Sequence, residues 1–412
     1  MACHPFGVSE AAGGWTTVST ISRQHDLWVV THQRNRQAIE DWQASHPENP
    51  PIRFLFVGKP ALRYSENRML ARFQDWRETY LWQRQMLPIV QRVHREVGFD
   101  LVHHVSIATW RVASPLSKLE VPLIWGPVGG GERFPWQCVS ILSAHSLLFE
   151  MIRELGNWTG SLSRRVRQCA RQAAVCVAAN RETANLLRRL RGTDAGIYQL
   201  SQAFFPASKV REFAALLPSK SYLGPLRLFA SGNLEARKGV AIALLALAEP
   251  ALRHTPLHYV IGGHGPEYGH LRKMATTLGL GQKVFFHDSF EATAYRGELF
   301  KSHICLLPSL RESAGTTLME AMLAGSVPIV AGCGGPQDIV SEDCGFRVSV
   351  TTPKRMAGEI AALVGRLEAN RQWLQSLGQA AHCRIASAYV EEQYMKSVQS
   401  FYRAALADAQ AQ

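Results

Sequence analysis

Residues 306–340 read LLPSLRESAGTTLMEAMLAGSVPIVAGCGGPQDIV. An apolar run, Ile304–Leu307, leads into a small-residue turn, Ser313-Ala314-Gly315-Thr316-Thr317. Thr316–Ala324 then carries apolar residues at helical spacing and closes at Gly325. A second apolar run, Val327–Ala331, ends in the glycine turn 332–335. The order is strand, loop, helix, strand, loop. Backbone N–H groups at a helix start are unpaired and partly positive, so the turn suits an anion. Gly315 permits close approach, and the hydroxyls of Thr316 and Thr317 add donors. Glu312 and Glu320, eight positions apart, flank this turn. A carboxylate repels an anion and only accepts hydrogen bonds, so hydroxyl groups are its natural partners. An anion site bordered by hydroxyl-binding carboxylates fits a sugar nucleotide.

The rest of the chain supplies matching architecture. Strand-like runs occur at Leu27–Thr31, Phe54–Val57, Leu101–Val105, Leu123–Trp125 and Ala174–Ala179, and again at Leu226–Ala230, Leu257–Ile261, Val284–His287, Ile304–Leu307 and Val327–Ala331. Helical patterns lie between them, including Glu66–His94, Arg164–Ala173, Val240–Glu249, Pro266–Leu278 and Thr316–Ala324. Such alternation predicts an α/β protein with parallel sheets covered on both faces. Two series predict two doubly wound domains, joined near the Pro/Gly/Ser-punctuated stretch 216–225. The expected division is 1–202, 203–388 and a C-terminal helix within 389–412. Ligands in such folds sit at the carboxyl ends of strands, so facing domains would share one cleft.

Composition narrows the classes. Apolar residues make up 46% and charged residues 19% of the 412, ordinary values for a globular chain. No apolar run reaches membrane-spanning length, and no basic region followed by an apolar stretch marks a secretory signal. The eight cysteines are scattered without CxxC pairs and read as small hydrophobes. The net charge of +12 is concentrated early: residues 1–200 hold 24 Lys+Arg against 16 Asp+Glu. The absence of a nucleic-acid module argues against DNA or RNA. An anionic membrane surface, a phosphorylated acceptor and a merely solvated basic face all fit. The expected location is cytoplasmic, with peripheral contact at the inner membrane face.

Further segments carry chemistry at strand ends. Ala230–Gly239 (ASGNLEARKG) places Gly232, Arg237 and Lys238 after the first strand of the second domain. Ile261–Glu267 (IGGHGPE) offers Gly263 and Gly265 in a tight turn, with Pro266 suited to a first helical position. In the first half, Ser9–Trp15 (SEAAGGW) reads as a glycine loop, Asp100–Ser106 (DLVHHVS) ends a strand with His103 and His104, and Trp125–Glu132 (WGPVGGGE) ends another.

Together these segments resemble retaining glycosyltransferases of the GT-B fold, specifically glycosyltransferase family 4, whose signature is E-x7-E. The resemblance implies that Glu320 holds the nucleotide ribose and that Glu312 sits on the sugar side. It sets Ser313, Gly315, Thr316 and Thr317 against the diphosphate. It makes Arg237 and Lys238 the cations on the leaving group, and Gly232, Gly263 and Gly265 part of the donor cradle. A histidine, His103 or its neighbour His104, would lie near the sugar. Gly13 and Gly14 would approach the donor or acceptor, and Gly129, Gly130 and Glu132 would face the acceptor. The implied reaction transfers a sugar from a nucleoside-diphosphate sugar to a hydroxyl with retention, in polysaccharide or glycoconjugate synthesis. No cofactor or essential metal is expected, and the acceptor is lipid-linked or a glycan. A nucleotide-sugar-binding partner subunit without turnover, an epimerase and a phosphorylase are the alternatives.

The chain departs from the family pattern in four places. Asn233 stands where an arginine is common, Asp288 where a glycine is common, and Val105 where a second histidine would fall. The family also has an apolar strand before the glycine loop. Met1–Phe6 is too short and polar for one, which sets the expectation that the native chain begins upstream.

Overall fold

The computed structural model describes residues 3–7, 10–50, 52–58 and 68–411. Met1 and Ser9, and the first two residues of the expected 66–94 helix, lie outside them. Among the described residues are twelve strands: β1 Trp28–His32, β2 Arg53–Val57, β3 Val102–His104, β4 Leu123–Val128, β5 Val175–Ala178, β6 Ile197–Gln199, β7 Leu226–Ser231, β8 Leu257–Gly262, β9 Val284–His287, β10 Ile304–Leu306, β11 Val327–Ala331 and β12 Phe346–Val348. Every pairing between them is parallel.

The second half forms one six-stranded sheet in the order β12-β11-β10-β7-β8-β9. β10 and β11 are buried along their whole length, which is why they read as unbroken apolar runs. The helix Val240–Leu247 is apolar nearly all round because it is wedged between this sheet and the helix Pro353–Ala369. The strand order reverses between β10 and β7, so the loops leaving these neighbours diverge to opposite sides and open a crevice at their carboxyl ends.

The first half is divided between a two-stranded sheet, β1-β2, and a four-stranded sheet, β3-β4-β5-β6. β1 and β3 are not paired with each other. A cavity of about 550 Å³, lined by residues including Val29, Val30, Val102 and His103, lies between them. The stretch read as a glycine loop is instead a helix, Glu10–Ile21, with Gly13 and Gly14 inside it. Trp15, Val18 and Ile21 recur at helical spacing and are buried. Trp15 packs edge-on against Trp42 at 4.8 Å. Burying these side chains outweighs the roughly 1 kcal/mol that each glycine costs a helix.

The two halves share material. Phe134 and Cys138, early in the chain, belong to the core of the six-stranded sheet. The last helix, Glu391–Ala411, does the reverse: Tyr394, Val398, Phe401 and Tyr402 pack with Ile124, Val175 and Val177 of β4 and β5. The chain passes between the halves twice at one place, where Phe205 N–H donates to Tyr389 O (2.9 Å) and Glu391 N–H donates to Phe205 O (3.0 Å). Phe401 is 4% exposed and meets Tyr198 at 5.0 Å. Phe401→Ala should therefore cost about 3 kcal/mol or more of stability, read from the urea midpoint. An unchanged midpoint would show that the last helix contributes nothing to the first domain.

Candidate functional site

The crevice at the strand-order reversal gathers the second-domain residues. The loop after β7 carries Arg237 and Lys238, and the loop after β10 carries Glu312. They meet because β7 and β10 are neighbours, although 74 residues separate Lys238 from Glu312. Lys238 Nζ donates directly to Glu312 Oε2. Arg237 Nη1 lies 3.6 Å from the same oxygen. Burial alone would raise the Glu312 pKa, but Lys238 and Arg237 outweigh it and hold the carboxyl below its ordinary value. Arg237 is further committed: Nε donates to Glu235 (2.5 Å) and Nη1 to the Arg311 carbonyl (2.8 Å). Its place is thus fixed by three groups, whereas Lys238 retains N–H donors beyond the one given to Glu312. Asn233, in the position of the missing arginine, donates to Glu235 Oε1 at 2.7 Å.

Gly315 caps the helix Thr316–Leu323 with φ +76°, a left-handed conformation that favours glycine, and this turns the helix start into the crevice. Glu320 lies on the second turn of that helix. Its Oε1 accepts from Lys209 Nζ and its Oε2 from Tyr295 Oη, both at 2.7 Å. Burial, then the nearby Glu320, push the Tyr295 phenol well above its usual pKa. Lys209 and Tyr295 carried no local sequence signal, since only the tertiary fold brings them to Glu320. Gly232, Gly263 and Gly265 form one turn cluster: a Cβ on Gly263 would lie 2.1 Å from Gly232 O, and one on Gly265 2.5 Å from Leu234 O.

The first domain approaches this crevice through residues 129–132. A Cβ on Gly129 would fall 2.9 Å from Ser313 Oγ, so only glycine lets the two loops touch there. Glu132, expected to face an acceptor hydroxyl, is instead 2% exposed. Its Oε1 accepts from Ser313 Oγ (2.8 Å), Gly130 N–H (3.2 Å), Thr183 Oγ1 (3.4 Å) and Asn180 Nδ2. Asn180 also caps the helix Arg181–Arg191, accepting from Thr183 N–H, and donates to Ser313 O (3.2 Å). An asparagine two residues past β5 and opening a helical run is a local signal for a cap, but nothing local marks its reach across to Ser313. Glu182 Oε1 accepts from Gly334 N–H at 2.7 Å, adding a further link between the halves.

The histidines stand apart. His103 Nε2 meets Gly126 O (2.8 Å), and its Nδ1 meets Tyr402 Oη (3.2 Å). His104 Nδ1 meets Ser114 Oγ at 3.0 Å. Neither hydrogen-bonds Lys238, Glu312 or Glu320, and burial lowers both pKa values to about 4. Gly13 and Gly14, in the first helix, do not form a loop over the crevice. A cavity of about 710 Å³ touches Ser313 and Ala314 from the side of the chain crossings, not from the Lys238–Glu312 side.

Residues 218–381, which contain Gly232, Arg237, Lys238, Glu312, Gly315 and Glu320, match the family "Glycosyl transferases group 1". The second domain belongs to that family. The chain is 26% identical over 151 residues to 2-deoxystreptamine glucosyltransferase of Streptomyces kanamyceticus, a match that covers 35% of this chain and 39% of that protein. It is 28% identical over 123 residues to the gpi3 subunit of phosphatidylinositol N-acetylglucosaminyltransferase of Schizosaccharomyces pombe, covering 30% of this chain and 27% of that protein. The chain thus matches between about a quarter and two fifths of these curated relatives. Whole-chain likeness comes from solved structures. Sucrose-phosphate synthase from Thermosynechococcus elongatus superposes with TM-score 0.61 at 16% identity, over 98% of this chain and 95% of that one. Anabaena HepE in complex with UDP and glucose superposes with TM-score 0.60 at 15% identity, over 96% of both. The group 1 domain therefore sits in a GT-B fold of two Rossmann-like halves.

The buried histidines give the chain a pH-dependent stability. Unfolded histidine takes a proton near 6.5, while folded His103 and His104 take one only near 4. The unfolded state binds more protons between those values, so stability is full above pH 6.5 and falls as pH drops toward 4. Urea midpoints measured across that window should decline, and His103→Gln with His104→Gln should flatten the slope.

Proposed function

We propose that the chain is a retaining glycosyltransferase that moves a sugar from a nucleoside-diphosphate sugar to an acceptor hydroxyl. One observation carries the reading: Lys238 and Arg237 converge on Glu312 beside the start of the helix Thr316–Leu323, across the strand-order reversal. A diphosphate seated at that helix start meets Gly315, the Thr316 and Thr317 hydroxyls and the remaining N–H donors of Lys238. As the bond from the sugar to the phosphate oxygen breaks, negative charge grows on that oxygen. A fixed cation stabilises the transition state more than the ground state. The acceptor oxygen bonds to the same face of the sugar carbon, and its proton passes to the departing phosphate oxygen. Glu312, held ionised by its two cations, is placed to accept from sugar hydroxyls. Glu320 has lone pairs beyond those engaged by Lys209 and Tyr295, enough for ribose hydroxyls. The UDP and glucose bound by Anabaena HepE make UDP-glucose the first donor to test.

Lys238→Ala should lower kcat about a hundredfold with a smaller change in donor KM, measured at saturating acceptor, since its contact strengthens as the phosphate leaves. A pure affinity effect would remove Lys238 from the leaving-group role. Glu320→Ala should chiefly raise the donor Kd, because ribose contacts are already made in the ground state. Unchanged donor affinity would take ribose binding away from Glu320. Turnover should persist in EDTA, and loss of activity restored by magnesium or manganese would overturn the metal-free mechanism. Incubation with UDP-glucose alone separates the alternatives, because an epimerase converts the donor without an acceptor.

A further inference from the structure

The helix Ala144–Leu162 is built inside out. Its apolar side chains Leu148, Met151, Ile152, Leu155, Trp158 and Leu162 recur every three or four residues and are each 51–62% exposed. They form one outward stripe. The polar side chains of Glu150, Arg153 and Asn157 face the protein. Glu150, 3% exposed, receives a two-pronged pair from Arg311 at 2.6 and 3.2 Å. Arg153 donates to the carbonyls of Glu132 (2.9 Å) and Gly130 (3.0 Å). Asn157 accepts from Arg111 at 2.5 Å. The inner face is therefore fixed by charged contacts to the crevice loops, and the apolar face is left to the outside. Leaving that much contiguous apolar surface in water is unfavourable, and patches of this kind mark interaction sites.

The surrounding charge indicates what covers it. One residue separates this helix from the next, Arg164–Gln172, whose Arg164, Arg165, Arg167 and Arg171 are all exposed. Between residues 144 and 172 no aspartate or glutamate is exposed, since Glu150 and Glu154, the acidic residues there, turn inward. Among the described residues no helix is long and apolar enough to cross a membrane. A leucine-rich stripe with one tryptophan, followed by arginines and with acids excluded, is the chemistry of a helix lying in the plane of an anionic bilayer.

We propose that the outward face of Ala144–Leu162, with the arginines of the helix that follows, docks the protein on an anionic lipid surface. This holds whether or not the transferase reading does. If both hold, Arg153 and Glu150 connect the docked helix directly to the loops at Glu132 and Arg311, so the crevice stands about one helix diameter, ~10 Å, from the lipid headgroups.

The test is sedimentation with vesicles of mixed phosphatidylcholine and phosphatidylglycerol, in the absence of any nucleotide. Binding should be strong to these vesicles, weak to pure phosphatidylcholine, and reduced by salt. Each of Arg164→Gln and Arg171→Gln should weaken it about fivefold, the factor matching about 1 kcal/mol per basic residue near an anionic surface. The triple variant Leu148→Gln, Leu155→Gln, Trp158→Gln should weaken it about tenfold or more while leaving the melting temperature intact, because these side chains point outward. Equal binding to both lipids, or wild-type binding by the triple variant, overturns the proposal. So does a wild-type dimer that fails to sediment with vesicles and becomes monomeric in the triple variant, which would assign the stripe to a second copy of the chain.

Discussion

The pairing of Lys238 with Glu312 depends on a topological fact, the reversal of strand order between β7 and β10. Two parallel strands placed side by side deliver their following loops to the same edge of the sheet. Because their crossovers run to opposite faces, those loops part instead of packing shut. The cation-bearing loop and the carboxylate-bearing loop thus face each other across a gap that backbone geometry keeps open. Burial would favour a neutral Glu312, but two adjacent cations reverse that preference. The charged pair is thus held by contacts of the protein's own side chains.

The first domain touches this arrangement through Glu132. One carboxylate oxygen, 2% exposed as a residue, gathers donors from Ser313, Asn180, Thr183 and Gly130. A buried carboxylate so surrounded strongly favours one relative placement of the loops, because losing any partner leaves a desolvated polar group. Gly129 allows the approach by having no side chain where Ser313 sits. Arg153 then ties the same loop to the inverted helix outside it. Three layers, crevice, loop and helix, are joined by polar contacts where most proteins would use apolar packing.

Much of the second domain was legible because its signals are local. β9 and β11 fall on the residues that their apolar runs marked, and the helix opened by Gly315 starts at Thr316. The family motif placed Lys238 and Glu312 on strand-end loops, and shared topology did the rest. The failures share a cause as well. Gly13 and Gly14 suggested a loop because glycine propensity is local, while the burial of Trp15, Val18 and Ile21 that makes the helix is not. Glu132 was assigned to an acceptor because it follows a glycine run, and nothing nearby in sequence announces Asn180 or Ser313. His103 and His104 end a strand, but at a face covered by Tyr402 and Ser114, from distant parts of the chain. Lys209 and Tyr295 lie in unremarkable helical sequence. The inverted helix was hidden because helical periodicity gives the direction of an apolar face only relative to itself, not whether it points toward the core.

The double passage of the chain at Phe205 and Tyr389–Glu391 has a mechanical meaning. Two strands of polypeptide, hydrogen-bonded to each other where they pass, act like the knuckles of a hinge: they resist sliding and twisting but permit swing about the line that joins them. A single connector would leave the halves free to drift in all directions. Here the last helix is anchored on the far half, so the two crossings and that helix together restrict how Ser313 can move relative to Glu132. A swing that breaks those contacts and later remakes them brings the same atoms back into register, much as a door returns to its own latch.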